Sequence, residues 1–475
     1  MPKTSRREVV FGGAAAAVWP AFRGPNGAGV DTGSRALPEA LIPGGKDEVW
    51  AVPMLPGASS PVLTAERIYL TAWEGTSLLT LALDRATGRI LWRRPLPAAR
   101  SETRHKLNNA ASPTPAVDDA GRVYVFFPDF GLAAYGPDGN ELWKRSMGPF
   151  TNLHGMAASP VLAAESTRLI LSCDQDVDSF VAAFDTRSGR EVWRKARPAV
   201  VHGFATPTLL GDDQVVIPGS YLVTAYAART GEELWSVRGL TWQIKNSAIA
   251  DSATGTLYVT GWAPGADAGQ SQPLPPFEKA AGEIDANTNG RLEAGELNPS
   301  VYKHGGSWRA IDLNEDGAID PREWGFYRAR RAARNVTMAI RPGDARGDLT
   351  DTHVLWRNEK FVPQVSSPLL YQGVLYIIKD GGIFTSLDPA TGAIHKTARI
   401  PAAIDSYYAS PIAGGGKLYL ASEKGKVTVL RAGAQWESLH TQDFDDPIFA
   451  SPALDGQGRI YLRTSAKLYC FAAKP

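Results

Sequence analysis

The sequence predicts an all-β fold, an eight-bladed β-propeller of four-stranded blades, because two short motifs recur at a period of roughly 40 to 50 residues. The first motif is Ser or Thr, usually followed by Pro. The first residues of successive copies lie 52, 47, 47, 41, 120, 43 and 41 residues apart. The copies therefore share one module length, apart from a long insertion in the fifth module. The eight copies are Ser60-Pro61-Val62, Ser112-Pro113-Thr114, Ser159-Pro160-Val161, Thr206-Pro207-Thr208, Ser247-Ala248-Ile249, Ser367-Pro368-Leu369, Ser410-Pro411-Ile412 and Ser451-Pro452-Ala453.

The second motif is a turn that leads into a strand carrying tryptophan. In the copy from Asp84 to Trp92, the Asp side chain can bond to the backbone of its own turn and Gly88 can take the positive φ that the turn needs. The tryptophan is then expected to cap the outer strand against the neighbouring blade. Equivalent positions are held by Trp50, Trp143, Trp193, Trp235, Trp356 and Trp436, and by His395 in one copy.

The last module supplies only three strands, around Ser451, Ile460 and Leu468. The segment 48–51 precedes the first module and carries the unassigned Trp50. We expect it to pair into the last blade and close the ring, which removes the exposed sheet edges of an open array.

Composition excludes several classes of function. Fifty basic and forty-nine acidic residues give a net charge of +1, so no global field attracts nucleic acid or an anionic membrane. The two cysteines, Cys173 and Cys470, lie far apart and indicate neither a zinc site nor a disulfide framework. We interpret them as buried strand thiols.

Residues 1–17 resemble an export signal of the twin-arginine type. Arg6 and Arg7 precede a short apolar stretch and a run of alanines. The alternative is a chance Arg-Arg pair in a frayed tail. No stretch is long enough to span a bilayer, and we expect a soluble or peripheral protein in the periplasm or outside the cell.

The Ala-x-Asp-x-x-Thr-Gly-x-x-x-Trp turn resembles the docking motif of the pyrroloquinoline-quinone-like, or quinoprotein alcohol-dehydrogenase-like, propeller superfamily. The segment Trp19–Gly27 is similar to the one that begins many bacterial members after their signal. The resemblance covers nearly all of the chain outside the insertion, and it implies the fold rather than a function.

The insertion, residues 263–334, separates residues 18–262 from residues 335–475. It contains two twelve-residue loops with the EF-hand spacing, in which oxygen ligands at positions one, three, five, seven and twelve surround one hard cation. The predicted calcium ligands are Asp285, Asn287, Asn289, the Arg291 carbonyl and Glu296 in the first loop, and Asp312, Asn314, Asp316, the Ala318 carbonyl and Glu323 in the second, with Glu293 and Asp320 acting directly or through water.

The second loop has more carboxylates and should bind calcium more tightly. Leu292 and Ile319 stand where paired EF-hand loops join in a short β-bridge. Only fifteen residues separate Glu296 from Asp312, and they include proline and paired glycines. Short intervening helices favour a structural site over a sensor. The alternative is a polar surface loop rich in Asp, Asn and Gly.

The loops before each Ser-Pro motif are expected to surround the axis on one face, which the insertion should overhang. Convergent groups from several blades can form an axial pocket. The alternative is that these residues are solvated loop positions or channel fillers. The candidate binding residues are His154, His202, Lys245, Gln364 and Tyr407, with Asn108, Asn109, Trp242 and Asp446 on the same rim.

Two functions remain open. The first is an exported calcium-binding propeller that binds or scaffolds an envelope protein partner or a small ligand, similar in kind to the propeller lipoprotein of outer-membrane protein assembly. The second, implied by the resemblance, is a quinoprotein oxidoreductase with pyrroloquinoline quinone in the axial funnel. That family carries an adjacent Cys-Cys pair, which this chain lacks. No catalytic residue is predicted, and no G-x-S-x-G, H-E-x-x-H or Walker motif occurs.

Overall fold

The computed structural model describes residues 17–33, 35–211, 213–297 and 308–474. These residues form eight antiparallel sheets that follow one another around a ring, so the predicted eight-bladed propeller is confirmed. The predicted export signal lies outside the described residues except for Ala17, which begins a strand paired with blade 1.

The first four blades each run outward from the axis in chain order. Their strands are Val62–Thr64, Arg67–Glu74, Ser77–Asp84 and Ile90–Pro97 in blade 1, with Ala17–Trp19 added inside; Ala116–Val117, Val123–Phe127, Gly131–Tyr135 and Glu141–Ser146 in blade 2; Val161–Ala163, Arg168–Cys173, Phe180–Asp185 and Glu191–Ala196 in blade 3; and Thr208–Leu210, Gln214–Gly219, Leu222–Ala227 and Glu233–Arg238 in blade 4, with Gly347–Asp348 parallel to its edge.

The remaining blades follow the same order, and the last is completed from the N-terminal side. Their strands are Ile249–Asp251, Thr256–Gly261, Val336–Ile340 and Val354–Asn358 in blade 5; Leu369–Tyr371, Val374–Lys379, Ile383–Leu387 and Ile394–Arg399 in blade 6; Ile412–Gly414, Lys417–Ala421, Lys426–Arg431 and Glu437–Asp443 in blade 7; and Ala453–Leu454, Arg459–Arg463, Lys467–Ala472 and Glu48–Pro53 in blade 8.

Burial differs between the inner and outer strands for a simple reason. Both faces of an inner strand such as Val123–Phe127 contact neighbouring blades, and all five of its residues are buried. The outer strand Ile90–Pro97 alternates between buried and exposed positions because one side of it faces solvent. The core is therefore divided among the interfaces between successive blades.

A closed ring of hydrogen bonds joins the eight blades around the axis. In each blade the backbone N–H of one Ser or Thr donates to the side-chain oxygen of the corresponding Ser or Thr in the next blade, at 2.8 to 3.1 Å. We call these residues the Ser/Thr ring: Ser60, Thr114, Ser159, Thr206, Ser247, Ser367, Ser410 and Ser451.

The ring corrects the predicted register of blade 2. Thr114, followed by Pro115, occupies the ring position that the sequence analysis assigned to Ser112. The spacings on either side of it are therefore 54 and 45 residues. Ser112 instead accepts a hydrogen bond from the Asn109 backbone N–H at 3.1 Å. Two consecutive Ser/Thr-Pro pairs fit the motif equally well, and only the contacts with blades 1 and 3 distinguish them.

The predicted closure is confirmed. Strand Glu48–Pro53 pairs antiparallel with Lys467–Ala472, and Trp50 lies opposite Cys470. The indole of Trp50 also packs on Gly88 in the turn of blade 1. Blade 8 is thus held by segments from both ends of the described chain.

Tryptophan docking follows the prediction at five blades, where the indole packs on the turn glycine of the next blade: Trp50, Trp92, Trp143, Trp193 and Trp356. In blades 6 and 7 the equivalent strand position is held by Lys396 and His440, so the predicted docking positions His395 and Trp436 are wrong. The indole N–H of Trp92, Trp143, Trp193 and Trp356 donates to a turn carbonyl of the next blade at 2.8 to 3.0 Å. Trp235 differs and donates to the Gln214 side chain of its own blade. The turn of blade 5 does not contain the motif, so no matching carbonyl is presented to Trp235.

Residues Trp19 to Val30 lie across the axis on the far side of the Ser/Thr ring. The segment contacts blade 2 through Pro20, blade 4 through Asn26 and blade 7 through Val30. The buried Arg23 donates to the Pro368 carbonyl at 2.8 Å. The contacted residues Val117, Leu209 and Ala413 each lie three positions past the ring. This segment therefore closes the far end of the axial channel.

The insertion separates the second and third strands of blade 5, as predicted. Its helices are α1, Phe277–Ile284, and α2, Pro321–Ala332, and two-residue strands Leu292–Glu293 and Ala318–Ile319 pair antiparallel. The 3-10 turns of the described chain are Pro25–Gly27 and Trp308–Ala310. A separate apolar core around Trp324 and Tyr327 holds the insertion together.

Candidate functional site

A cavity of about 680 Å³ lies on the axis. All eight residues of the Ser/Thr ring contribute to its wall, and Phe22 reaches it from the segment that closes the far end. Ala310 and Arg330 of the insertion line it as well. The axial cavity is therefore formed jointly by the propeller and the insertion, and its volume suits a small organic molecule.

Three of the five predicted axial residues line this cavity: His154, Lys245 and Gln364. Asn108 and Trp242 from the same predicted rim also line it. The Lys245 ammonium donates to the Gln243 carbonyl at 3.0 Å. With its amide nitrogen facing the carboxylate, Gln364 donates to Asp380 Oδ1 at 3.0 Å.

His202 and Tyr407 do not line the cavity, and their prediction as axial binding residues is wrong. His202 is fully buried, its Nδ1 accepts from the Trp242 indole at 3.0 Å, and its Nε2 lies 2.7 Å from Asp176 Oδ1. The buried Tyr407 hydroxyl donates to the Ala403 carbonyl at 2.9 Å within the loop that joins blades 6 and 7. These side chains turn inward because each finds a buried polar partner there.

Asn109 and Asp446 also stay out of the cavity wall. The Asn109 side chain accepts from the Ala111 backbone at 2.9 Å, and Asp446 accepts from the Ala466 backbone at 2.9 Å. Asn109 therefore caps its own turn, whereas Asp446 joins its loop to the loop that contains Ala466, and both are loop residues as the alternative interpretation of the rim expected.

His154 is held as a neutral imidazole. Its Nε2 lies 2.6 Å from the Gln243 amide nitrogen, and its ring packs edge-on against His105 at 5.5 Å between centroids. Burial, together with the nearby His202, His105 and Lys245, lowers the pKa of His154 to about 4. At neutral pH the imidazole can therefore accept a hydrogen bond on the cavity wall without adding charge.

This pKa predicts an acid-dependent loss of stability. Between pH 6.5 and 4 the unfolded chain binds a proton at His154 that the folded protein does not, so stability falls as the pH falls through that interval. We expect the free energy of unfolding of His154→Gln to fall by about 1 to 2 kcal/mol less than that of the wild type between pH 6.5 and 4. This figure allows for solvent screening of the partly exposed ring. Urea unfolding at several pH values measures this difference. Equal losses in both proteins would rule out His154 as the group responsible.

Sequence analysis missed Trp262, Arg330 and Asp380, which all line the cavity. Trp262 and Asp380 each directly follow the second strand of a blade. The loop after the second strand of a blade lies on the same face as the loop before the Ser-Pro motif. Applied to these positions, that rule predicts that Trp262 and Asp380 face the axis. Arg330 lies in helix α2 of the insertion, and no repeat pattern predicts its position.

The two acidic loops of the insertion share one hydrogen-bond pattern. In both, the first-position carboxylate accepts from the backbone N–H groups of positions five and six. In both, the last-position glutamate accepts from positions two, three and nine. Asp285 and Asp312 hold the first position, and Glu296 and Glu323 the last.

The loops differ from a full pair of helix-loop-helix units. In the part of the chain that the structure describes, α1 precedes the first loop and α2 follows the second, and residues 298–307 lie outside it. Among the described residues no group of three or more His, Cys, Asp and Glu side chains is placed to hold a metal ion. Arg291 also forms an ion pair with the predicted ligand Asp316. The calcium ligand sets therefore remain predictions.

The cavity does not fit the quinoprotein expectation. The resemblance implies adjacent cysteines against the quinone, whereas Cys173 and Cys470 are both buried in strands and neither lines the cavity. Burial raises the pKa of the Cys470 thiol to about 12. Neither sulfur is available to a bound cofactor in the axial cavity.

Eight docked blades, an N-terminal closing strand and an axial cavity define a β-propeller of the pyrroloquinoline-quinone-like class. A model of the family described as outer membrane protein assembly factor BamB matches residues 128–265 and 328–475. These stretches make up more than half of the chain, and the chain belongs to this family. The unmatched stretch between them contains both acidic loops.

Solved structures with the same fold include a BamB protein and two dehydrogenases. BamB from Moraxella catarrhalis is 13% identical with a TM-score of 0.57, over 90% of this chain and 97% of that one. A europium-containing methanol dehydrogenase is 10% identical with a TM-score of 0.61, over 97% and 98%. The quinohemoprotein alcohol dehydrogenase ADHIIG from Pseudomonas putida HK5 is 13% identical with a TM-score of 0.54, over 96% and 81%.

These similarities show the fold alone. Comparison of the sequence with curated proteins finds no match. No helix in the described ranges is both long and apolar enough to cross a membrane.

Proposed function

We propose that this protein is an exported binding and scaffolding propeller stabilised by calcium in the two loops of its insertion. The observation that carries the proposal is the shared hydrogen-bond pattern of the two loops. A loop that binds a cation through positions one, three, five, seven and twelve needs its backbone wrapped around those oxygens. The same backbone hydrogen-bond pattern in both loops is better explained by a common ligand than by a polar surface turn.

The ligand chemistry favours calcium. Carboxylates, Asn amides and backbone carbonyls are hard oxygen donors. Asp312 and Glu323 of the second loop are nearly buried, at 3% and 2% exposure, whereas the first loop is open to solvent. The second loop also has more carboxylates, so we expect it to bind more tightly. Glu296 and Glu323 must give up backbone hydrogen bonds to bind the ion, which limits the affinity.

The insertion is anchored to the propeller, which supports a structural role for calcium. The Tyr221 hydroxyl donates to the Phe326 carbonyl at 3.0 Å, and the two rings stack at 6.2 Å between centroids. Ala310 and Leu313 pack with Val201 of the propeller in one apolar cluster. A cation that orders the loops would stabilise this interface by binding only the folded state.

Calorimetric titration with calcium is the direct test. We expect two sites in the wild type and none in Glu296→Gln combined with Glu323→Gln, because each change removes the ligand at position twelve. At calcium about a hundredfold above its dissociation constant, the wild type should gain about 2.7 kcal/mol of stability that the variant does not.

The matched control removes the same two charges elsewhere. Glu283 precedes the first loop, and Glu315 is a non-ligand position of the second loop. Glu283→Gln combined with Glu315→Gln should leave both sites intact. Loss of binding in this control would mean that general charge, and not a ligand set, attracts the ion, and a wild type that binds no calcium would refute the proposal.

The scaffolding role is supported by membership of a family whose description names outer membrane protein assembly. We expect an envelope protein to co-purify with the exported protein.

Export is expected to depend on the paired arginines, so Arg6→Lys combined with Arg7→Lys should keep the chain in the cytoplasm. Fractionation of cells that produce each form measures this. Unchanged export of the double variant would contradict the prediction that residues 1–17 are a twin-arginine signal.

A further inference from the structure

A lysine without a carboxylate partner lies on the wall of the axial cavity. Lys245 is half-buried, stands two residues before the ring residue Ser247 and lines the cavity. Among the described residues it belongs to no ion pair. Its ammonium donates to the Gln243 carbonyl at 3.0 Å. Because it is withdrawn from water without a counter-charge, the charged form of this side chain is disfavoured.

The consequence for Lys245 is a reactive amine. Burial lowers the pKa of Lys245 to about 8. Roughly a tenth of this side chain is therefore the neutral amine at pH 7, whereas an ordinary lysine is almost wholly charged. The neutral amine is a nucleophile, and desolvation in an apolar pocket is one way in which proteins activate a lysine to react with carbonyl groups.

Gln243 holds this amine in a defined position. Its φ of +57° is one that residues other than glycine seldom adopt. The conformation is fixed from two sides, since the Gln243 backbone N–H donates to Ser220 Oγ at 3.0 Å and the side-chain amide nitrogen lies 2.6 Å from His154 Nε2. A strained residue that its surroundings hold in place is typical of binding and catalytic sites.

The wall around this group is suited to an apolar molecule. The Phe204 backbone N–H donates at 2.8 Å to the carbonyl of Ile244, the residue between Gln243 and Lys245. The Phe204 ring lies 6.1 Å from the His154 ring between centroids, and both rings line the cavity. The loop that carries Lys245 is thus joined to an aromatic part of the wall, and His154 adds no charge there at neutral pH.

We propose that Lys245 binds a small apolar aldehyde in the axial cavity as a covalent imine. The neutral amine nitrogen attacks the aldehyde carbon and forms a C–N bond. Both amine hydrogens then leave with the carbonyl oxygen as water when the C=N bond forms, and addition of water reverses the reaction. The step requires only the amine and the aldehyde, so it does not depend on the proposed calcium sites.

The test is reductive trapping with 2-naphthaldehyde and cyanoborohydride, followed by peptide mass spectrometry. Cyanoborohydride delivers hydride to the imine carbon and makes the adduct permanent. We expect Lys245 to carry at least roughly tenfold more adduct than Lys106, because a larger fraction of its amine is neutral. Lys106 is the matched control, since it is exposed and directly follows the wall residue His105. Lys245→Arg keeps the positive charge without a reactive amine and should lose the adduct, whereas Lys106→Arg should keep it.

A second readout separates a binding site from a merely accessible lysine. The labelling rate of Lys245 should saturate with aldehyde concentration, because occupancy of the cavity precedes the reaction. Phe204→Ala should raise the half-saturating concentration several-fold, since it removes apolar surface from the wall. Labelling in calcium-free protein keeps this result separate from the calcium titration. Equal labelling of Lys245 and Lys106 in the wild type, or a rate that rises without saturation, would overturn the proposal whether or not a variant folds.

Discussion

Asp174→Ala is expected to lower the free energy of unfolding by about 3 to 5 kcal/mol, because it leaves the Arg197 guanidinium buried without a counter-charge. Arg197 donates to Asp174 Oδ1 at 2.7 Å and Oδ2 at 3.2 Å, and to the Tyr226 hydroxyl at 3.0 Å. The two charged side chains are 1% and 2% exposed. Equilibrium unfolding in urea gives the loss.

Replacing both partners separates the orphaned charge from lost packing. Asp174→Ala with Arg197→Met leaves no buried charge, so it should be less destabilising than Asp174→Ala alone. A comparison pair at the surface, Arg229 and Glu165, has the same 2.7 Å separation but is 48% and 73% exposed. Glu165→Gln should leave the unfolding midpoint nearly unchanged. If the single and double changes at the buried pair cost the same, the orphaned charge is not the cause.

Gly189→Ala is expected to destabilise the protein by about 2 to 5 kcal/mol, through backbone strain and a clash with the docking tryptophan. Gly189 has a φ of +68°, and a Cβ there would lie 2.5 Å from the Trp143 ring. The ring would have to shift, which endangers the 2.9 Å hydrogen bond from its indole N–H to the Thr186 carbonyl. Urea unfolding followed by tryptophan fluorescence reports both the stability and the shifted ring.

Gly255→Ala is the matched control for this prediction. Its φ of +66° is nearly the same, and a Cβ there would meet no atom within 4 Å. It should therefore show only the backbone strain, about 1 kcal/mol. The difference between the two variants measures the contribution of blade docking. Equal losses would show that the positive φ, and not the contact with Trp143, requires glycine at position 189.

The blade structure was largely predictable because its determinants are local. The turn from Asp84 to Gly88 forms because the Asp84 carboxylate accepts from the Thr87 backbone at 2.9 Å and from the Thr87 hydroxyl at 2.7 Å. Trp92 lies a fixed number of residues further on, so the strand carries the tryptophan to the same place in each repeat that has one at that spacing. Closure by the strand around Trp50 followed from counting strands.

Candidate site residues were less predictable, since proximity to the axis does not determine where a side chain points. His154 and His202 stand at similar places before their ring residues, yet His154 faces the cavity and His202 contacts Asp176 within the blades. Tyr407 and Tyr408 are adjacent, and only the second lines the wall. The partners of His202, Trp242 and Asp176, come from other loops of the chain, which one sequence does not reveal.

The sequence by itself determined the number of blades, the closing strand, the position of the insertion and the spacing of its acidic loops, because each depends on short-range backbone patterns. Only the tertiary structure decided that Thr114 completes the Ser/Thr ring, that Arg23 and its neighbours close the far end of the channel, and that Arg330 reaches the axial cavity. These placements depend on contacts between segments far apart in the chain, where burial and hydrogen-bond satisfaction select one arrangement among several that the local pattern allows.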